Sequence, residues 1–263
     1  MAKLTVSILT LNEEEMLPAA LASVAWADEI LVTDSGSTDH TVEIAKAAGA
    51  KVLFRKFDDY SAQHNWAIGQ ITNPWIMVLD ADEVVDDELA RSIRETLASE
   101  PKYEVYAVVR DTFIFGHRMR STAWSNDLLP RLFKNGAMHY SGMVHQAPEY
   151  GDRKVGFLKG RLLHYTYRDM EQYFQKFQHF TSLWAKDKHA KGRRVSLLYC
   201  AFAPLWHFFR SYTFRRGFFD GRIGFAMSMT SMAYNFVKLI KLWDLNRQDD
   251  LRRKPKADDP CFK

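Results

Sequence analysis

Two aspartates separated by one residue, Asp80 and Asp82, close an apolar run that begins at Trp75, and Glu83 follows at once. Two carboxylates on one short turn can hold a hard divalent cation and leave coordination positions for phosphate oxygens. The run before them reads as a buried strand, and in an α/β sheet the carboxyl ends of strands open on the ligand crevice. The same acids also suit a solvated turn capping a helix that begins near Asp86. Asp34 ends a second apolar run, Ile30-Leu31-Val32. It is placed to accept a hydrogen bond from a base imide or a ribose hydroxyl, or simply to begin the turn that follows.

The elements that must position these acids are legible in order. Leu4 to Thr10 predicts a first strand that stops at Leu11-Asn12-Glu13-Glu14. Pro18 near a helix start, with Leu17, Leu21 and Val24, predicts a helix ending by Trp26. After the strand ending at Asp34, Ser35-Gly36-Ser37-Thr38-Asp39 supplies turn and N-cap chemistry for a helix from Thr41 to Ala48, closed by Gly49. A strand over Lys51 to Phe54, a helix from Tyr60 through Ile68 and the strand delivering Asp80 complete four β-α steps. That alternation specifies an α/β class, with a doubly wound, largely parallel sheet. A dinucleotide-binding version fails at the first turn, where Thr10-Leu11-Asn12-Glu13-Glu14 has none of the glycines that admit a pyrophosphate. Nucleotide recognition must therefore rest on side chains.

Beyond Pro101 the alternation changes. Val105 to Val109 and Thr112 to Phe115 read as strands, Arg131-Leu132-Phe133 as a short one before the turn Lys134-Asn135-Gly136, and Phe157-Leu158 with Leu162 to His164 as an antiparallel pair. Ala123 to Arg131 is a polar loop with one acid, Asp127. From Met170 the pattern is helical: Met170, Tyr173, Phe174, Phe177, Thr181 and Trp184 share a face, which the simplest reading packs on the sheet. A second block, Val195 to Phe209, contains Pro204 and His207. In a third, Phe225, Met229, Met232, Phe236, Leu239 and Trp243 share a face with Lys238 and Lys241 opposite.

With 263 residues and 47% hydrophobic content, the chain can bury a sizeable core. Its net charge of +4 conceals a polarity, since residues 1–100 carry 7 Lys and Arg against 18 Asp and Glu, and the remainder 29 against 14. The acidic half suits a metal site and argues against a continuous nucleic-acid track. The basic half suits an anionic partner. Cys200 and Cys261 form neither a disulfide framework nor a zinc spacing. The apolar run Leu4 to Leu11 is too short and wrongly flanked for a signal peptide, so a cytoplasmic protein is expected. No block offers about 18 uncharged apolar residues in a row, as a spanning helix needs. The basic, aromatic stretch Val195 to Trp243 instead predicts contact with an anionic membrane surface. The expected organisation is a catalytic domain over 1–168, a membrane-facing helical region over 169–248 and a polar tail over 249–263.

The ordered set Ser7 to Glu13, Val32-Thr33-Asp34-Ser35-Gly36-Ser37-Thr38-Asp39, Gln63-His64-Asn65-Trp66-Ala67 and Leu79-Asp80-Ala81-Asp82-Glu83 resembles the family 2 nucleotide-sugar glycosyltransferases with the GT-A fold. Arg131-Leu132-Phe133, Val144-His145, Leu163-His164-Tyr165 and Gly217-Phe218-Phe219-Asp220-Gly221 are similar to the bacterial subgroup that adds glucose or a related sugar to the lipopolysaccharide inner core. The resemblance implies inverting transfer from a nucleotide sugar, most often UDP-linked, to a hydroxyl of a lipid-anchored glycan on the inner face of the cytoplasmic membrane. It further implies that Thr10, Asn12, Glu13, Asp34 and Asn65 bind the nucleotide, that Asp80 faces ribose and metal, and that Asp82 ligates Mg²⁺ or Mn²⁺. Ala81 lies between them, and Asp127, four residues before Arg131-Leu132, would be the base.

Two departures stand out. The subgroup usually shows Val-His-Glu where this chain has Val144-His145-Gln146, which leaves Glu149 as a replacement acid and His145 as a ligand, an acceptor contact or a structural histidine. A basic residue often precedes the Asn of the third motif; here it is His64, able to contact phosphate only when protonated. As a structural acid, Asp127 would be solvated beside Arg131. Rival functions are a sugar transferase to polyprenyl phosphate and a catalytically silent nucleotide-sugar-binding scaffold.

Overall fold

A computed structural model of the chain describes residues 2–121, 127–142 and 147–253. The elements are β1 (Leu4–Thr10), α1 (Leu17–Ser23), β2 (Glu29–Asp34), α2 (Thr41–Ala47), β3 (Lys51–Phe54), α3 (Tyr60–Ile68), β4 (Trp75–Asp80), β5 (Glu83–Val85) and α4 (Asp87–Ala98). There follow β6 (Val105–Ile114), β7 (His117–Arg118), β8 (Asp127–Lys134), β9 (His139–Ser141), β10 (Ala147–Glu149), β11 (Val155–Tyr167), α5 (Met170–Ala190), α6 (Leu197–Phe209) and α7 (Gly221–Arg253). They form two compact units, Met1–Arg118 with Ser125–Thr166, and Met119–Trp124 with Tyr167–Lys263.

The first unit is an α/β structure built on one sheet in the order β3-β2-β1-β4-β8-β6-β11-β5, with β7 paired to β6. β1 runs parallel to β2 and β4, and β2 parallel to β3. Because the strand order reverses between β1 and β4, the crevice at their carboxyl ends is the topological switch point where open α/β sheets bind ligands. From β8 onward the sheet is mixed: β8 is antiparallel to β4 and β6, and β11 to β5. The expected parallel character thus holds for the first four strands. β4, β8 and β6 alternate in direction, which needs no helical crossover between neighbours.

Period-2 alternation divides the sheet's two cores. Leu4, Val6 and Ile8 with Met77 and Leu79 bury on one face beneath Leu17, Ala20 and Leu21 of α1 and Leu89, Ile93 and Leu97 of α4. Ile76 and Val78 point to the other face, with Leu31, Phe133 and Tyr140. Side-chain caps fix the helix starts, since Asp59 accepts from the Ala62 amide and Asp86 from that of Leu89.

Two expected strand pairs are single strands. Val105 to Ile114 is one ten-residue strand, and Val155 to Tyr167 one of thirteen, paired to β5 rather than to itself. Gly160 lets β11 pass the start of α4: its φ is +89°, and a Cβ there would lie 2.1 Å from the Leu89 nitrogen. The Asp86 carboxylate uses its second oxygen to accept from the Arg161 amide at 3.0 Å, so the cap of α4 also fastens β11.

In the second unit α7 packs against both α5 and α6. The buried face of α5, Tyr173, Phe177, Thr181 and Ala185, therefore covers a helix, not the sheet expected. Lys241 donates to Thr181 Oγ1 and Ser182 Oγ of α5, both at 2.8 Å, and Lys238 lies over the Trp184 and Tyr234 rings. These two lysines clamp helices together instead of forming a separate solvent face. Of the predicted α7 stripe, Phe225, Met229 and Phe236 are exposed but Leu239 is buried. The polar tail begins later than expected: α7 continues through Arg253, with Asp249 against His189 and Asp250 against Arg194. Residues 254–263 lie outside the described residues.

Gly160→Ala combines a left-handed φ with a backbone collision, and should destabilise the folded chain by about 2 kcal/mol or more. Chemical denaturation measures it; an unchanged midpoint would show that β11 can pass α4 without the glycine.

Candidate functional site

The switch-point crevice is assembled from three strand ends. At the end of β1, Asn12 adopts a left-handed φ of +55°. Its amide donates to Ser37 Oγ at 2.9 Å, and its side-chain oxygen accepts from the Thr38 amide at 2.8 Å. The Glu13 amide donates to Thr41 Oγ1 at 2.8 Å. Asp34 lies beneath this loop, buried. It accepts from the Gly36 and Ser37 amides at 2.8 and 3.0 Å, from the Ser37 hydroxyl at 2.5 Å and from Thr10 Oγ1 at 3.3 Å. Asp34 thus organises the turn, as one of its two readings held, and keeps Thr10, Asn12 and Ser37 in register.

Asp80, at the end of β4, is paired with Arg131 of β8 at 2.7 Å, and the same guanidinium nitrogen reaches Glu83 at 2.7 Å. Glu83, fully buried, also accepts from the Asp80 amide at 3.0 Å and faces Arg110 at 3.6 Å. Burial alone would push the Asp80 carboxyl up, but Arg131, with His64 and His164, outweighs it and holds the group well below the usual carboxylate range. Glu83 moves the other way, pushed up by burial and by the neighbouring Asp80 charge.

Ala81 is buried in the core, so the acids on either side diverge from the sheet. Asp82 comes within 3.4 Å of His164 Nε2. The register of β11 places His164 opposite Glu83, and the Tyr165 amide donates to the Asp82 carbonyl at 2.9 Å. Among the described residues no three His, Cys, Asp or Glu side chains converge as a complete metal cage. One carboxylate and one imidazole at partly exposed positions nevertheless suit a cation whose remaining ligands come from substrate phosphates. Tyr60, at the start of α3, faces the same space. Burial and then the charges of Asp80, Asp82 and Glu13 raise its phenol.

The third motif supports the crevice from below. Both ends of the Asn65 amide are taken by the Tyr140 backbone, each at 2.8 Å, so Asn65 holds α3 to β9. His64 is 1% exposed and stacks on Tyr140 with ring centroids 4.6 Å apart. Burial lowers its pKa to about 4, with Arg131 adding to this and Asp80 opposing. It is neutral at pH 7, which removes the expected phosphate contact by a protonated ring.

Asp127 opens β8 opposite Arg110, to which it is bonded at 2.9 Å, with its side chain 53% exposed. Its partner is Arg110 rather than the Arg131 expected. Arg110 therefore links the buried Glu83 to Asp127. Glu149 lies in the separate β9–β10 pair, held by His139 at 3.0 Å and by the Ser141 hydroxyl; no contact among the described residues joins it to the Asp80 cluster. His145 falls outside the described residues. Sequence reasoning missed Glu83, Arg110, Tyr60 and His164 as site residues. Only the Glu83 position next to Asp82 and the Leu163-His164-Tyr165 triplet carried any signal.

The family is settled by comparison with known proteins: the chain belongs to glycosyl transferase family 2, whose model matches residues 5–155. It is 30% identical to an uncharacterised glycosyltransferase of Rickettsia bellii, over 99% of this chain and 95% of that one. It is 29% identical to the lipopolysaccharide core biosynthesis glycosyltransferase LpsC of Rhizobium meliloti, over 97% and 96% of the two chains. Among solved structures, glucosyl-3-phosphoglycerate synthase of Mycobacterium tuberculosis aligns at a TM-score of 0.35 and 20% identity, over 43% of this chain and 44% of that one.

His64 also carries a pH signature. It binds its proton near pH 4 when folded, against about 6.5 when unfolded. Between those values the unfolded chain holds the extra proton, so stability falls as the pH drops, by about 2 kcal/mol from pH 7 to pH 5. Asp80, Arg131 and Tyr140 face the ring and remain in His64→Phe, which keeps the stack but cannot titrate. Urea denaturation of the variant should show a pH 7 to 5 loss smaller by about that amount; equal losses would clear His64 of the effect.

Proposed function

We infer that this family 2 glycosyltransferase moves a sugar, glucose or a close relative, from a UDP-sugar to a hydroxyl of a lipid-anchored glycan such as lipopolysaccharide core. The observation that carries this reading is the placing of Asp80 at the end of β4, at the switch point between β1 and β4, with Asp82 beside it 3.4 Å from His164. The relation to LpsC supports the acceptor class. Thr10, Asn12 and Glu13 line the nucleoside side of the crevice, Tyr60 offers a ring for stacking, and Asp80 faces the ribose. Asp34 and Asn65 act beneath them by fixing the loop and α3.

Asp82 and His164 would hold Mg²⁺ or Mn²⁺, which when bound offsets charge on the departing diphosphate. Asp127 accepts the proton of the acceptor hydroxyl. The hydroxyl oxygen forms the new bond to the anomeric carbon from the face opposite the leaving group, and the bond to the diphosphate oxygen breaks with its electron pair going to UDP. Configuration is inverted. Arg110, bonded to Asp127 at 2.9 Å, orients it.

Attachment to an anionic membrane surface is the second part of the reading. Leu198, Phe202, Trp206, Phe209, Phe214 and Phe219 of the second unit are exposed apolar side chains, and Arg210, Arg216 and Arg222 are exposed among them. Large apolar side chains interleaved with cations match the headgroup boundary of an anionic bilayer. Among the described residues no helix is long and apolar enough to cross a membrane. Co-sedimentation with phosphatidylglycerol vesicles should weaken as salt rises and should drop on Phe202→Ser with Trp206→Ser. Salt-independent binding, or none, would remove this part.

The chemistry is tested by turnover and UDP affinity on one preparation with a panel of UDP-sugars and Mn²⁺. Asp82→Ala and chelation should each abolish turnover and weaken UDP binding together. Asp127→Asn keeps size and polarity but cannot take the proton, so turnover should fall about 10² to 10⁴-fold with UDP affinity nearly intact. A structural pair this exposed is worth about 0 to 1 kcal/mol; a rate within a few-fold of wild type would assign Asp127 to that role instead.

A further inference from the structure

The stretch Gly217-Phe218-Phe219-Asp220-Gly221 has no role in the transfer chemistry, yet it buries an acid: Asp220 is 3% exposed. Its two carboxylate oxygens hold the backbone of a segment far back in the chain. One accepts from the Arg120 amide at 2.6 Å and the other from the Ser121 amide at 2.9 Å. Met119 and Ser121 are themselves buried. Buried amides need acceptors, and here one side chain meets two consecutive ones. A carboxylate can accept at both oxygens, and hydrogen bonds to a charged acceptor are the stronger kind.

The local chain is shaped to present this acid. Gly217–Asp220 forms a single 3₁₀ turn that ends at Gly221, whose φ is +56°. At Gly224 a Cβ would lie 1.9 Å from the Gly217 carbonyl oxygen and 2.8 Å from the Asp220 Cβ, so α7 can start against the turn only with glycine there.

The segment held in this way is the approach to Asp127. From Met119 the chain groups with the helical unit, although in sequence it lies between β7 and β8. Asp127, the first residue of β8, follows Ser121 by 6 positions. Its side chain is half exposed and bonded to Arg110, and a pair so exposed holds a side chain weakly. Where that carboxylate stands therefore depends on the path by which the chain enters β8. We infer that Asp220 is a positioning residue for sugar transfer: by fixing the Arg120 and Ser121 amides it sets that path, and with it the placing of Asp127. The inference rests on Asp127 being the base. A misplacement of about 1 Å can cost about 10²-fold in rate, so a buried acid remote in sequence can govern turnover.

The test is Asp220→Asn in the full chain, made alone and together with Asp127→Asn. An amide side chain accepts at one end only, so a donor must then face either the Arg120 or the Ser121 amide. Hydrogen exchange of those two amides should quicken at least about tenfold, while α5 and α7 exchange as in wild type and report that the unit is folded. UDP affinity should stay unchanged, and kcat should fall about 10 to 10²-fold with little change in KM for the UDP-sugar. In the Asp127→Asn background the same substitution should cost less than about twofold, because no base is left to misplace. Equal losses in the two backgrounds, a kcat within about twofold of wild type despite quickened exchange, or quickened exchange throughout α5 and α7 would each overturn the positioning role. Unchanged turnover in Asp127→Asn alone would instead overturn the base assignment, and this inference with it.

Discussion

A single guanidinium, that of Arg131, stands between Asp80 and Glu83 at 2.7 Å from each, and the site depends on it. Asp80 is the last residue of β4, Glu83 the first of β5, and Arg131 sits on β8. The ion triad therefore closes the turn that carries Asp82. Two carboxylates so close would repel, and their desolvation is costly; a shared buried cation makes the arrangement tenable, while loss of that cation would leave uncompensated buried charge. The opposite directions of the Asp80 and Glu83 shifts follow from the same crowding, since only one of two neighbouring acids can be strongly favoured as an anion. Arg110 continues the alternation of charge from Glu83 to Asp127. The end of β4 and the proposed base are thereby held by one chain of paired charges.

Most of the first hundred residues were legible because their constraints are local. Strand alternation, the Asp59 and Asp86 caps and Pro18 each act within a few residues, and β1, β3, α3 and β4 fall where expected, whereas α1 ends at Ser23, three residues before the expected Trp26, and the short β5 was not foreseen. Asp80 and Asp82 were placed correctly at a strand end for the same reason. What failed beyond Pro101 was punctuation. Gly160 reads as a turn between two strands, yet it is a close-approach glycine inside one strand, and only the position of α4 distinguishes these. His164 and Arg110 were not found as site residues because sheet register brings His164 opposite Glu83 and Arg110 opposite Asp127, and register is not written in either segment alone.

Residues named by motif divide in a physically sensible way. Thr10, Glu13, Asp80 and Asp82 stand at strand ends around the crevice, whereas Asp34, His64 and Asn65 lie below it, meeting the hydrogen-bond and packing needs of the loops. A short motif cannot separate these two duties, because a loop held in one geometry needs its internal partners as strictly as a ligand needs its contacts. His64 illustrates this: its neutrality arises from burial against Tyr140, a contact across 76 positions of chain.

The helical unit shows the complementary limit. Helical periodicity identifies which residues share a face but not what covers it. Lys238 and Lys241 read as a solvent-facing cationic stripe, yet α5 lies over them and engages both, Lys241 through oxygens and Lys238 through the Trp184 ring. Their aliphatic stems let them serve as packing groups, and the charge is then satisfied by whatever polar or aromatic surface the neighbouring helix brings. The aromatic excess of α6 has no such cover from its own sequence neighbours: Phe202, Trp206 and Phe209 remain exposed. The same composition thus yields an interior clamp where a second helix is available and an exposed apolar surface where none is, so the partner of each face is decided by tertiary packing rather than by the pattern that first marks it.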